Sequence, residues 1–163
     1  MSDVYYYIPT ICYKNVNSNF IFFLADLKNF LLSCEGGRKL CYFIPIQPGR
    51  DSPLKLTSLS FQPSSTCNKW QTAVSYDPIE NTVYWTDGCT NIYRGSLNSN
   101  GSQVVIRSMK RPVDIEIDPV GRNIYFADQD DNTIGVAKLD GSYQTVIVEV
   151  PSPQGIALDS LSG

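Results

Sequence analysis

One feature restricts the fold of this chain more than any other: a run of strand-forming residues that returns after 41 positions. Asn81-Thr82-Val83-Tyr84-Trp85-Thr86-Asp87 is echoed by Asn123-Ile124-Tyr125-Phe126-Ala127-Asp128. Asp118 stands where Asp77 stood, Pro119 where Pro78 stood, Ile124 for Val83, Tyr125 for Tyr84, Phe126 for Trp85 and Asp128 for Asp87. Branched and aromatic side chains fit a pleated, half-buried surface. Asp77-Pro78 before the first run and Asp87-Gly88 after it read as turns. A third copy opens at Pro153-Gln154-Gly155-Ile156-Ala157-Leu158-Asp159, with Pro153 41 residues after Pro112 and Asp159 41 after Asp118.

Each copy carries four strand-like segments. In the first they are 72–76, 83–86, 91–97 and 103–107; in the second, 113–117, 123–127, 134–139 and 144–148. Asn100-Gly101 and Asp140-Gly141 sit in the last turn of each copy, and both dipeptides favour tight turns. Four short strands per unit at this period predict an all-β fold built of propeller blades. A single antiparallel sandwich with accidental similarity is the competing reading. Upstream, 29–34 and 39–44 read as a hairpin around Glu35-Gly36-Gly37-Arg38. Residues 45–53 carry three prolines and read as loop, and 54–61 alternate as a third strand. Residues 1–28 show no usable period and stay unassigned, so the expected domain is a partial propeller over 29–163: two full blades and parts of two others.

Composition removes several chemistries. The chain has no histidine, which excludes Ser-His-Asp and Cys-His catalysis and histidine-containing zinc sites. Its net charge of -3 gives no basic footprint for nucleic acid. Cys12, Cys34, Cys41, Cys67 and Cys89 form no C-x2-C pair; they read either as extracellular disulfide partners or as inert buried thiols. The apolar run Phe20–Ala25 is broken by Asp26 and Lys28 and falls short of the roughly 20 residues a membrane span needs. No secretory signal is legible in the first residues.

The motif Tyr84-Trp85-Thr86-Asp87, preceded by Asp77-Pro78, resembles the class B repeat of the LDL receptor family. The flanks agree: Ile92–Leu97 and Ile134–Gly141 are similar to the family's third strand, and Pro153–Asp159 to its first. Residues 30–44 resemble its N-terminal hairpin. The second copy departs from the pattern with Phe126 for Trp and Ala127 for Thr, losing an indole N–H and a hydroxyl. The resemblance implies a six-bladed propeller on an extracellular, non-catalytic protein. Members include lipoprotein receptors, Wnt co-receptors and the matrix protein nidogen. Six blades at this period need about 250 residues, so the chain is expected to be a fragment of a longer, membrane-anchored parent.

Three functions follow as expectations. The first is a ligand-binding scaffold of an LDL-receptor-related ectodomain, endocytic or Wnt-type, that binds an extracellular protein, takes no cofactor and meets no nucleic acid. The second is a nidogen-like matrix protein, with laminin as partner by resemblance. The third is a six-bladed lactonase-like hydrolase with a metal in the central channel, for which Glu80 and Asp114 are weak ligands.

Tyr84, Trp85, Tyr125 and Phe126 are expected to fill blade-to-blade contacts, since neighbouring strand residues face opposite sides. Thr86 belongs to the same structural motif, as do Asp77, Asp118 and Asp159. Asp87 and Asp128 are expected to hold turn backbone; paired-acid catalysis by Asp77 and Asp118 is the sharper alternative. In an up-and-down blade, the loop entering strand one and the turn between strands two and three share one end. That end collects Lys110, Arg111, Asp130 and Asp131 as a candidate binding face. It also brings Cys67 and Cys89 within reach of a disulfide. Asn100-Gly101-Ser102 is an N-glycosylation sequon in an expected exposed turn.

Overall fold

The computed structural model describes residues 73–96 and 101–159, together with the backbone of five strands between residues 13 and 56. The chain divides into two compact units, Met1–Thr57 and Ser58–Gly163. The first holds one antiparallel sheet in chain order: β1 (Tyr13–Lys14), β2 (Asn19–Phe23), β3 (Phe30–Glu35), β4 (Leu40–Pro45) and β5 (Leu54–Leu56). The expected hairpin is β3–β4, closed with Cys34 opposite Cys41 and Glu35 opposite Leu40. Strand β2 pairs with β3 although the sequence offered no period there. A continuous apolar run such as 20–25 carries no alternation from which to read a strand. Of the third expected strand, 57–61 lie outside the described residues.

The second unit contains two four-stranded antiparallel meanders. One is β6 (Val74–Asp77), β7 (Thr82–Thr86), β8 (Ile92–Ser96) and β9 (Gln103–Ile106). The other is β10 (Pro112–Asp118), β11 (Asn123–Asp128), β12 (Thr133–Lys138) and β13 (Thr145–Glu149). All eight strands expected from the repeat are present, with ends displaced by one or two residues. The fold is all-β, and these sheets are two blades of a partial propeller. No helix among the described residues is long and apolar enough to cross a membrane.

The register refines the period. Val74 and Ile115, opposite Trp85 and Phe126 respectively, are 41 apart. Ile92 and Ile134, opposite Ile106 and Val148, are 42 apart. The turn from Asp128 to Ile134 holds one residue more than that from Asp87 to Ile92, which accounts for the step. Each blade also carries one bulge between its last two strands, beside Ile92 and beside Ile134.

Residues 153–159, expected as the first strand of a third blade, contain no strand. A strand is defined by a ladder partner, and these residues have none among those described. Here the Ile156 N–H donates to Asp114 Oδ2 at 2.8 Å.

The two blades share one core. Tyr84, Ile92 and Ile106 of the first blade pack with Ile115, Ile117 and Ile124 of the second, all nearly inaccessible to water. Burial of aliphatic area at roughly 25 cal/mol per Å2 drives this contact, and polar bonds orient it. The Leu139 carbonyl, at the end of β12, accepts from the Tyr84 hydroxyl at 3.2 Å and from Arg94 at 3.3 Å. Arg122 reaches from the β10–β11 turn to the fully buried Asp77 at 2.7 Å and to Glu80. The Ile117 N–H bonds to Ser75 Oγ at 3.2 Å.

Gly141 makes the approach possible. Its φ is +86°, and a Cβ there would lie 2.1 Å from the Val105 carbonyl oxygen of the first blade. Gly141→Ala is therefore expected to destabilise the unit by about 2–3 kcal/mol in urea unfolding, from backbone strain and overpacking together. Gly101→Ala, at φ +125° with nothing within 4 Å, should lose only about 1 kcal/mol.

Candidate functional site

The repeated motif is built from carboxylates that close turns and aromatics that fill the core. Asp77 and Asp118 follow the same design at the β6–β7 and β10–β11 turns. Asp77 Oδ1 accepts from Ile79 N at 3.0 Å; Asp118 Oδ1 accepts from Val120 N at 3.0 Å and Gly121 N at 2.8 Å. Asn81 and Arg122 end these turns in the left-handed region at φ 56° and 58°. Both aspartates are thus engaged in local backbone, the ordinary use of Asp in a turn. The third member of the set, Asp159, is exposed.

Asp87 and Asp128 share a place in the repeat, and both satisfy backbone donors. Asp87 Oδ1 accepts three N–H groups of its own turn, from Cys89 (2.8 Å), Thr90 (2.8 Å) and Asn91 (3.0 Å), and Oδ2 takes the Asn91 amide at 2.8 Å. Asp128 accepts from Lys110 N at 2.8 Å and Arg111 N at 2.7 Å, so it holds the connection between blades. Both are nearly inaccessible to water.

The aromatics divide between the faces. Tyr84 points into the inter-blade core, while Trp85 on the opposite face stacks on Tyr93 with centroids 5.8 Å apart and planes 9° from parallel. In the second blade Phe126 stands opposite Gly135, and a Cβ on that glycine would meet the ring at 2.4 Å. Tyr–Trp stacking is thus replaced by a ring lying over a glycine. Tyr125 remains partly exposed. Thr86 is buried, and its Oγ1 accepts from Ala73 N at 3.2 Å, a bond that Ala127 cannot repeat.

The four charged residues of the candidate binding face lie together. Lys110 pairs with Asp131, and Arg111 with Asp130 at 3.7 Å. All four residues singled out from the sequence therefore meet, as two ion pairs bridging the β9–β10 connection and the β11–β12 turn. The pairs are exposed and contribute little stability. Backbone bonds fix the platform: Met109 N to Thr90 O, Gln129 N to Arg111 O and Val150 N to Asn132 O, each 2.9 Å. Asn132 Oδ1 accepts from Ser152 N at 2.8 Å. The sequence offered no sign of this stitching, because apart from Asn132 Oδ1 its donors and acceptors are peptide groups.

Cys89, at this end, is disulfide-bonded. Cys67, its expected partner, and Asn100 of the sequon lie outside the described residues. Of the two candidate metal ligands, Glu80 pairs with Arg122, and Asp114 accepts amide bonds from Ile115 (3.0 Å) and Ile156 (2.8 Å). No group of three metal-ligating side chains occurs among the described residues.

Sequence reading missed Glu116. It lies on β10 at the inner seam, accepting from Ser75 Oγ at 3.4 Å. Burial, and then the nearby Asp114 carboxylate, push its pKa up to about 7, with Ser75 opposing. Burial likewise raises Asp114. A carboxyl raised above its unfolded value is held best when protonated. Its contribution is full below about pH 4.5 and is lost as pH rises through about 7. Glu116→Gln is therefore expected to raise the melting temperature at pH 8, by an amount worth on the order of 1–3 kcal/mol, and to match the parent near pH 4.5. Thermal unfolding at both pH values checks the sign.

No protein-family model matches the chain. Low-density lipoprotein receptor-related protein 5 of Mus musculus is 34% identical over 100 residues, 56% of this chain. The Homo sapiens counterpart is 33% identical over 101 residues. The match spans only 6% of the length of either relative. Among solved structures, a chain of the nidogen/laminin complex superposes with TM-score 0.60 and 24% identity, over 83% of this chain and 48% of that one. A Bacteroides thetaiotaomicron protein of unknown function superposes with TM-score 0.57 and 18% identity, over 81% and 35%. These two likenesses speak to the fold alone. The sequence match to the receptor-related protein supports the resemblance of these repeats to the class B repeat of the LDL receptor family.

Proposed function

We propose that this chain is part of a non-catalytic, extracellular ligand-binding scaffold of an LDL-receptor-related protein, and that the end carrying Lys110, Arg111, Asp130 and Asp131 receives a protein ligand. One observation carries the reading. The loops at that end are held by peptide hydrogen bonds and buried carboxylates, while the charged groups they present stay at the surface. A rigid platform with exposed, mutually paired charges suits recognition, because a partner finds its contacts already arranged. Opposite charges interleaved at the rim favour an equally mixed partner over a strongly acidic or basic one.

The domain in this reading is the partial propeller over 29–163. Asn100, between β8 and β9 in the sequence, is the proposed glycosylation site. The nidogen/laminin likeness favours a second reading: a secreted matrix protein with laminin as its partner.

The test is surface plasmon resonance of the chain against a panel of secreted proteins that includes laminin. Saturable binding to a panel member other than laminin is expected. The double variant Lys110→Glu, Arg111→Glu should weaken it at least about tenfold with an unchanged melting temperature. Undiminished binding by that variant would remove the platform from the site. Binding to laminin instead supports the matrix reading.

The same topology proposes Cys67 as the partner of Cys89. Peptide mapping without reduction should recover the two in one linked fragment; a fragment joining Cys89 to Cys12, Cys34 or Cys41 would overturn the pairing.

A further inference from the structure

The two cations beside Asp130 and Asp131 are not equally committed. Lys110 Nζ is hydrogen-bonded to Asp131. Arg111 is held by an ion pair alone, Nη1 to Asp130 Oδ1 at 3.7 Å, which is too long for a hydrogen bond. Its Nε–H is screened from water and meets no acceptor among the described residues. A guanidinium carries five N–H donors in a planar fork, and the edge formed by Nε and Nη2 lies away from the nitrogen that faces Asp130. The root of this side chain is fixed. Arg111 N donates to Asp128 Oδ1 at 2.7 Å, and the Arg111 carbonyl accepts from Gln129 N at 2.9 Å. Pro112 follows, fully buried, and restricts the residue before it to extended backbone. Arg111 stands on the connection between β9 and β10, where the blades on both sides are described.

We propose that Arg111 is the residue that reads a carboxylate: its Nε–Nη2 edge takes one Asp or Glu side chain of a protein partner. This rests on the reading of that end as a binding face and adds the chemistry of the contact. A carboxylate matches the edge with two parallel N–H···O bonds. To present the edge, the guanidinium turns outward. That turn breaks no side-chain hydrogen bond among the described residues and gives up only the 3.7 Å pairing, while the partner satisfies an Nε–H that the chain leaves unmet. Lys110 must release Asp131 before it can do the same. A sulfated or phosphorylated polyanion is the poorer match. Asp128, Asp130 and Asp131 stand at this end and the net charge of the chain is -3. A run of negative charges is repelled there, whereas a single carboxylate meets a single fork.

The test is an NMR titration of the isotope-labelled chain with N-acetyl-aspartate amide, followed on the arginine Nε–H resonances. The Arg111 resonance should move saturably, with half-saturation at least about tenfold below that of the exposed Arg107. N-acetyl-asparagine amide should leave it in place. Arg111→Lys keeps the charge and removes the fork. In plasmon resonance it should weaken the panel member that binds at least about tenfold, and Lys110→Ala by less than about threefold, both with an unchanged melting temperature. An Arg111 resonance that stays in place, moves in step with Arg107 or answers equally to the asparagine amide overturns the proposal. So does undiminished binding by Arg111→Lys, or an equal loss in the two variants. A response to a heparin hexasaccharide at lower concentration than to the aspartate amide also overturns it, and assigns the fork to a sulfated glycan. The binding-face reading falls on a different result, undiminished binding by the double variant Lys110→Glu, Arg111→Glu, so the two fail separately.

Discussion

The Leu139 carbonyl is the point on which the arrangement of the two blades depends. It sits at the end of β12 in the second blade and accepts from two side chains of the first, Tyr84 and Arg94. Apolar burial alone is non-directional and would allow the sheets to slide. A carbonyl that must meet a buried tyrosine hydroxyl admits one placement, because an unpaired buried polar group costs about 1–3 kcal/mol. Gly141, two residues on, lets the turn approach closely enough for that bond, and Arg122 fastens the other end of the blade to Asp77. The isoleucines between these points then have a fixed frame in which to pack.

Carboxylates serve three separate purposes here, and their surroundings decide which. Asp77, Asp87, Asp118 and Asp128 satisfy backbone donors at turns and connections, where a charged acceptor is stronger than a neutral one. Asp130 and Asp131 pair with cations at the surface. Among the described residues Glu116 meets a hydroxyl and another carboxyl, and burial moves its protonation toward neutral pH.

Much of this was legible in the residues. The spacing of Asp77 and Asp118, the Tyr-Trp and Tyr-Phe pairs and the turn dipeptides located eight strands to within two residues. The grouping of Lys110, Arg111, Asp130 and Asp131 followed from up-and-down topology. Which amides Asp87 and Asp128 hold was not legible, because the reach of a carboxylate depends on how the turn and the connection beside it are folded. Nor was the absence of a strand at 153–159, where the local sequence is suitable but no ladder partner occurs among the described residues. Glu116 gave no signal, since its burial depends on a neighbouring blade.

The sequence by itself determined the blade: strand order, turn positions, alternation of faces and the period are local properties set by residue type and spacing. The tertiary structure alone decided the seam. Whether Tyr84 is sealed while Tyr125 stays partly open, and whether Val148 is bare where Ile106 is covered, depends on what lies against each sheet. Identical local patterns cannot encode that difference, because burial is a property of the neighbour and not of the strand.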